Sequence, residues 1–133
     1  RVLTVDQMTL VRRLALACVA LPTCPLAITE AERAMPALLD AFEDTLEDLG
    51  LLGEPINVRV TGCPNGCARP YTAEVAFVGR SLNKYSIFLG GSPASTRLAS
   101  PDRRVVRSST CGWVNSMSVA RVFFCAETFT VSK

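Results

Sequence analysis

Six cysteines and no histidine stand among the 133 residues, and four of the cysteines form two close pairs, Cys18 with Cys24 and Cys63 with Cys67. Four thiolates that converge can hold a tetrahedral zinc ion, an iron–sulfur cluster or two disulfides, each with its own compartment and chemistry. Spacing begins to separate these outcomes. Structural zinc sites draw on pairs separated by about two to four residues, so the interval from Cys18 to Cys24 is too wide and that from Cys63 to Cys67 marginal. An iron–sulfur cube tolerates wider, asymmetric spacing because its ligands grip different iron corners. On spacing alone the cluster leads, with zinc and disulfides still open.

The residues inside the second pair, Pro64-Asn65-Gly66, carry turn chemistry. Proline presets φ, and Asn-Gly turns the chain back readily. Such a turn aims backbone N–H groups inward, where they can hydrogen-bond to thiolate or sulfide and tune a reduction potential. An ordinary tight turn between two elements is the plain alternative, and the second cysteine pair weighs against it.

Three blocks then carry a family resemblance: Ala17-Cys-Val-Ala-Leu-Pro-Thr-Cys-Pro-Leu-Ala27 with Glu30-Ala-Glu-Arg33; Arg59-Val-Thr-Gly-Cys-Pro-Asn-Gly-Cys-Ala-Arg-Pro-Tyr71; and Ala73-Glu-Val-Ala-Phe-Val-Gly79 with Tyr85-Ser-Ile-Phe-Leu-Gly-Gly91. From about Leu10 to Ala99 the chain resembles the C-terminal part of the assimilatory sulfite reductase hemoproteins. The resemblance implies an α/β (α+β) fold, a nitrite/sulfite reductase-like C-terminal domain whose small mixed sheet is flanked by helices and bears cysteine-carrying cofactor loops. It also implies that Cys18, Cys24, Cys63 and Cys67 ligate a 4Fe-4S cluster and that Cys67 bridges to the iron of siroheme. Nitrite reductases share both cofactors but usually lack the Leu-Pro-Thr and Ala-Arg-Pro-Tyr segments, which makes sulfite the expected substrate and ferredoxin-type nitrite reduction the alternative.

Further cofactor contacts are expected from Asn65, whose amide lies between two ligands, and from Thr61 and Thr23 through their hydroxyls. Arg59 and Arg69 flank the second pair and are within reach of a siroheme carboxylate. In the family the basic residues that bind the substrate oxyanion mostly precede the cysteine motifs, so no catalytic residue is assigned in this chain. It is expected to be inactive without the remainder of the reductase chain. The resemblance further implies an electron donor, either ferredoxin or a flavoprotein subunit. A zinc-holding or purely structural cysteine module is the competing reading from another class.

Composition fits one modest globular domain: 49% hydrophobic, 20% charged and a formal net charge of +2, too little positive charge to suggest nucleic acid. No apolar run reaches the ~18 residues a membrane span requires, and Arg1-Val-Leu-Thr-Val-Asp6 lacks the layout of a signal peptide. A cytoplasmic location, or a plastid stroma, is therefore expected, where thiols stay reduced and free for metal.

For one cluster to form, the two pairs must meet. Met35, Leu38, Leu39, Phe42, Leu46 and Leu49 recur at helical spacing, while Asp40, Glu43, Asp44, Glu47 and Asp48 fill the other faces as a solvated acidic surface. A helix over Pro36–Leu49 advances about 20 Å, and a strand over Ile56–Thr61 returns about 20 Å, which brings Cys63 back beside Cys24. Thr29 and Glu32 have capping-box form ahead of that helix. Two more strands are expected over Ala73–Val78 and Ser86–Leu89, separated by a turn at Ser81–Lys84. The resemblance stops at Pro101. Residues 1–100 are read as the cofactor-binding part and 101–133 as a divergent tail, in which Cys111 and Cys125 are plain thiols and Val119–Cys125 is an apolar patch.

Overall fold

The computed structural model describes residues 5–107. The chain enters through a short helix, α1 (Leu10–Leu14), whose first turn is closed by the Thr9 hydroxyl accepting from the Arg12 amide at 3.2 Å. A two-residue strand, β1 (Leu16–Ala17), follows. The main helix, α2 (Met35–Asp48), has Pro36 in its first turn, where the missing N–H leaves no bond unmade. It ends at Gly50, whose φ of +69° suits glycine. There the Gly50 amide donates to Glu47 O and the Leu51 amide to Leu46 O, closing the last carbonyls of the helix.

Four more strands complete one sheet: β2 (Val58–Thr61), β3 (Val75–Ser81), β4 (Lys84–Leu89) and β5 (Ser100–Arg107). Their spatial order is β1-β2-β3-β4-β5, with the first three parallel and the last two pairings antiparallel. This mixed sheet with few helices is an α+β arrangement, as expected. The parallel neighbours β1 and β2 are joined through α2, which makes a βαβ unit.

The core lies between α2 and one face of the sheet. Met35, Leu38, Leu39, Phe42 and Leu46 pack onto Val58, Val60, Val75, Phe77, Tyr85 and Ile87. The strand residues alternate with period two, so the same pleat that buries Val58 and Val60 turns Arg59 and Thr61 to the opposite face. Each large apolar side chain buried in this layer contributes about 1.5–3 kcal/mol. The opposite face is covered by the β2–β3 connection, which carries a 3-10 turn at Pro70–Thr72.

The acidic surface of α2 is only partly left to solvent. Arg12 reaches Glu43 at 2.6 Å and also pairs with Asp40, fixing α1 to the helix; hydrogen bonding to Glu43, then to Asp40, holds the guanidinium pKa above its ordinary value.

Several expectations change in detail. β2 starts two residues later than expected, β3 spans Val75–Ser81, and β4 starts at Lys84 with Leu82-Asn83 as the turn. Thr29 caps no helix: it is fully buried, and its hydroxyl accepts from the Asn83 amide at 3.1 Å in the β3–β4 turn, while α2 begins at Met35 without a side-chain cap. Strands β1 and β5 were not anticipated. β1 is too short to show a period, and Pro101 with Asp102 reads as loop, although an edge strand tolerates both. β5 continues the sheet to Arg107, past the point where the resemblance ends. Cys111, Cys125 and the patch Val119–Cys125 lie outside the described residues.

Gly79 sets how closely β3 approaches the β2–β3 connection. A Cβ there would stand 2.4 Å from Gly62 O and 2.7 Å from the Thr29 methyl, and backbone cannot swing aside. Gly79→Ala is expected to destabilise the chain by about 1–3 kcal/mol, read as a lower urea midpoint at unchanged slope.

Candidate functional site: two cysteine loops at one sheet edge

Because β1, β2 and β3 are parallel, their carboxyl ends share one edge of the sheet, the place where open α/β sheets present ligand-binding loops. Cys18 is the first residue beyond β1. Its amide donates to Val60 O at 3.0 Å, its carbonyl accepts from the Glu32 amide at 3.1 Å, and its Sγ accepts from the Gly62 amide at 3.2 Å. The loop that follows is tightly folded. Ala20 is fully buried with φ +47°, a left-handed conformation that costs a non-glycine residue about 1–3 kcal/mol. The Cys24 amide donates to Ala20 O at 2.8 Å, and the Arg33 guanidinium ties the loop from outside by donating to Leu21 O at 2.9 Å.

The second loop leaves β2 through Gly62. Its carbonyl accepts from both Ile28 N at 2.9 Å and Thr29 N at 3.1 Å, so this one residue bonds to the first loop through both its N–H and its C=O. No side chain fits there, since a Cβ on Gly62 would lie 2.5 Å from Thr29 O and 2.6 Å from the Ala20 Cβ. Beyond Cys63 the chain turns at Pro64-Asn65, with Gly66 at φ +76° and the Arg69 amide donating to Gly66 O at 2.8 Å. Tyr71 supports this turn from beneath. Its hydroxyl donates to Pro64 O at 2.9 Å, its ring packs under Gly66, and its edge meets Phe88 at a centroid distance of 5.2 Å.

The four thiols are all free and differ in exposure: Cys63 is buried, Cys18 and Cys24 are half-buried, and Cys67 is exposed. The fold brings Cys18 against Gly62, the neighbour of Cys63. Among the described residues, however, no three His, Cys, Asp or Glu side chains are grouped closely enough to hold a metal ion. Of the other residues singled out from the sequence, Thr61 is buried beside this edge with a hydroxyl that finds no partner. Asn65, Arg69 and Thr23 are exposed. Arg59 is turned elsewhere: it donates to Leu14 O at the end of α1 and to Asn57 Oδ1 at 3.4 Å. Burial lowers its pKa, and repulsion from Arg69 adds to that, so the two guanidiniums share one region.

The donor set fits a sulfur-ligated iron group. It consists of four thiols with no imidazole, one thiol already accepts a backbone N–H, and Thr61, two residues before Cys63, has a buried hydroxyl without a partner among the described residues. Burial raises the pKa of Tyr85, the Thr29 hydroxyl opposes that, and the charges of Glu30 and Cys18 add to it, so this core phenol lies within electrostatic reach of the first ligand candidate.

No family model matches the chain. It is 59% identical over 98 residues to a sulfite reductase (ferredoxin) of Synechococcus elongatus, which is 74% of this chain and 16% of the relative. It is 57% identical over 88 residues to the sulfite reductase (NADPH) hemoprotein beta-component of Acidithiobacillus ferrooxidans, and 57% identical over 90 residues to that of Geobacillus kaustophilus. These matches take in 66% and 68% of this chain and 16% of each relative. Over this segment the chain is homologous to the sulfite reductase hemoproteins. The chain spans about one sixth of the length of the curated relatives it matches. The structure of the Mycobacterium tuberculosis NirA protein has the same fold, with a TM-score of 0.63 and 24% identity over 87% of this chain and 22% of that one.

Within this sulfite reductase-like segment, sequence reasoning singled out the thiols as candidates but missed the residues that position their loops. Gly62, Thr29, Gly79, Tyr71 and Tyr85 all lie in or beside the quoted blocks, and a glycine or buried aromatic that no local pattern requires was the signal available. The turn can be tested directly. Gly66→Ala is expected to cost about 1–2 kcal/mol from the left-handed backbone, and Tyr71→Phe about 1 kcal/mol from the lost hydrogen bond to Pro64 O. Both are measurable by denaturant unfolding.

Proposed function

We propose that this chain is the cluster- and siroheme-binding portion of a sulfite reductase, with Cys18, Cys24, Cys63 and Cys67 as the ligands of a 4Fe-4S cluster and Cys67 shared with the siroheme iron. The observation that carries the reading is the convergence of the two cysteine loops on the backbone of Gly62, at the carboxyl ends of three parallel strands, in a segment homologous to named sulfite reductases. That the relatives are named for sulfite favours sulfite over nitrite as substrate. When bound, the two groups supply electron storage and an iron to hold the sulfur of sulfite during its six-electron reduction to sulfide.

The chain's own residues bind and orient. Cys63 supplies a thiolate from the buried side of the loop, and the Gly62 N–H on Cys18 Sγ stabilises negative charge on that sulfur. Cys67 stands at the exposed end of the turn, the place for a thiolate that must face a second metal. Thr61 has a hydroxyl proton free to donate to sulfur, and Asn65 can present its amide between two ligands. Arg69, exposed and next to the partly buried Arg59, offers a cation for a siroheme carboxylate. Sulfite, a ferredoxin or flavoprotein donor and the remainder of the reductase chain are the partners this reading requires. No described helix is long and apolar enough to cross a membrane.

Anaerobic reconstitution with iron, sulfide and siroheme, alone and together with the remaining part of the Synechococcus relative, tests the proposal. About four irons with matching acid-labile sulfide per chain are expected. Serine at position 18, 24 or 63 should cut the iron content, and Cys67→Ser should abolish the coupled cluster–siroheme spectrum. Zinc uptake alone, with all four serine variants losing stability equally and reductase activity of the complemented protein intact, would mean a structural module instead.

A further inference from the structure

We infer that Tyr85 is a positioning residue for the first cysteine loop, acting through Thr29 and Glu30 on the place of Cys18 relative to Cys63; the inference rests on the ligand assignment proposed above. Tyr85 belongs to β4, two strands away from the cysteine-bearing strand ends, and its side chain is fully buried in the core under α2. A core phenylalanine would fill that space. The hydroxyl needs another account, because a buried O–H costs stability unless it is bonded.

The bonds run in one direction. The Tyr85 hydroxyl donates to Glu30 O at 2.6 Å, so its oxygen is left to accept from the Thr29 hydroxyl at 3.4 Å, and Thr29 Oγ1 in turn accepts from the Asn83 amide at 3.1 Å. The β3–β4 hairpin is thereby tied to residues 29 and 30. Those residues lie in the segment whose Ile28 and Thr29 amides hold Gly62 O, and whose Glu32 amide holds Cys18 O. Gly62 closes the circuit by donating to Cys18 Sγ. A chain of hydrogen bonds thus runs from the hairpin through residues 28–32 to a ligand candidate. Removing the phenolic hydroxyl frees the Glu30 carbonyl and loosens the strap that sets Cys18 against Gly62, while the Cys63–Cys67 turn keeps its own support from Tyr71.

The test uses the full chain, reduced and free of metal, so it does not depend on cluster assembly. Wild type, Tyr85→Phe, Thr29→Val and Thr29→Ser are pulsed with iodoacetamide, and labelling at each cysteine is followed by mass spectrometry beside a thermal unfolding curve. The expected result is a rise of about fivefold in labelling of Cys18 and Cys24 in Tyr85→Phe and Thr29→Val, the scale of one lost hydrogen bond. Cys63 and Cys67 should stay within twofold of wild type, and Thr29→Ser, which keeps the hydroxyl, should match wild type. Equal rises at all four thiols, or no change at Cys18, would overturn the inference by reducing Tyr85 to a general stability residue. If Tyr85→Phe does not fold, the contrast between Thr29→Val and Thr29→Ser decides in the same terms. Iron and sulfide uptake by wild type is measured alongside. Its failure would remove the ligand reading while leaving the labelling pattern to judge the strap.

Discussion

The structure turns on the backbone of one residue, Gly62. Its N–H points to Cys18 Sγ, its carbonyl accepts from Ile28 and Thr29, its Cα faces Ala20 and Thr29 O, and its carbonyl lies against Gly79. Backbone rather than side chains therefore joins the two cysteine loops. That is a stringent arrangement, because main-chain groups have no rotamers with which to absorb an error. It also explains why small residues collect here: with Ala20 fully buried and glycine at 62 and 79, three segments pass within van der Waals contact of one another. A carbonyl that accepts two N–H groups uses both lone pairs, leaving no buried acceptor unsatisfied at a point from which water is excluded.

The two sides of the sheet contribute differently to this knot. On the α2 side, apolar burial supplies the rigidity, and Tyr85 reaches out of that layer with a single polar atom. On the other side no long helix lies among the described residues, and the β2–β3 connection itself forms the cover, held by Tyr71 against Phe88. Each cysteine loop thus receives one tyrosine hydroxyl at a backbone carbonyl, Glu30 O from one face and Pro64 O from the other. A tyrosine suits this task because its ring is anchored by packing while its hydroxyl has only one rotatable bond to orient it. The support is directional without being charged.

How much of this could be read from residues alone depends on the range over which each pattern acts. The stripe Met35, Leu38, Leu39, Phe42 and Leu46 is a local periodicity, and it located α2 to within a residue or two. β3 and β4 were legible to within two or three residues, β4 through its alternation and β3 as a short apolar run. Thr29 with Glu32 shows the opposite case. The spacing satisfies a capping box, yet the hydroxyl is claimed by the Asn83 amide, far along the chain, because a tertiary donor outweighs a local one. β1 was invisible since a two-residue strand is defined only by its partner. The thiols themselves were legible by type and spacing, whereas Gly62 as their common support was not, because nothing in a Thr-Gly-Cys sequence states which loop will lie against the glycine.

Exposure across the four thiols carries the argument one step further. A thiolate is stabilised by water, by N–H donors or by a metal, and a buried one must rely on the latter two. Cys63 is nearly enclosed and Cys18 half-enclosed beside the Gly62 amide, so both stand where a bound cation would relieve the cost of charge that solvent does not. Cys67 is exposed and needs no such relief. It lies in the turn between the left-handed residues Gly66 and Arg69. The function proposed above, a centre insulated on one side and open to a second group on the other, uses this asymmetry, and the turn chemistry of Pro64-Asn65-Gly66 is the local means by which the chain exposes Cys67.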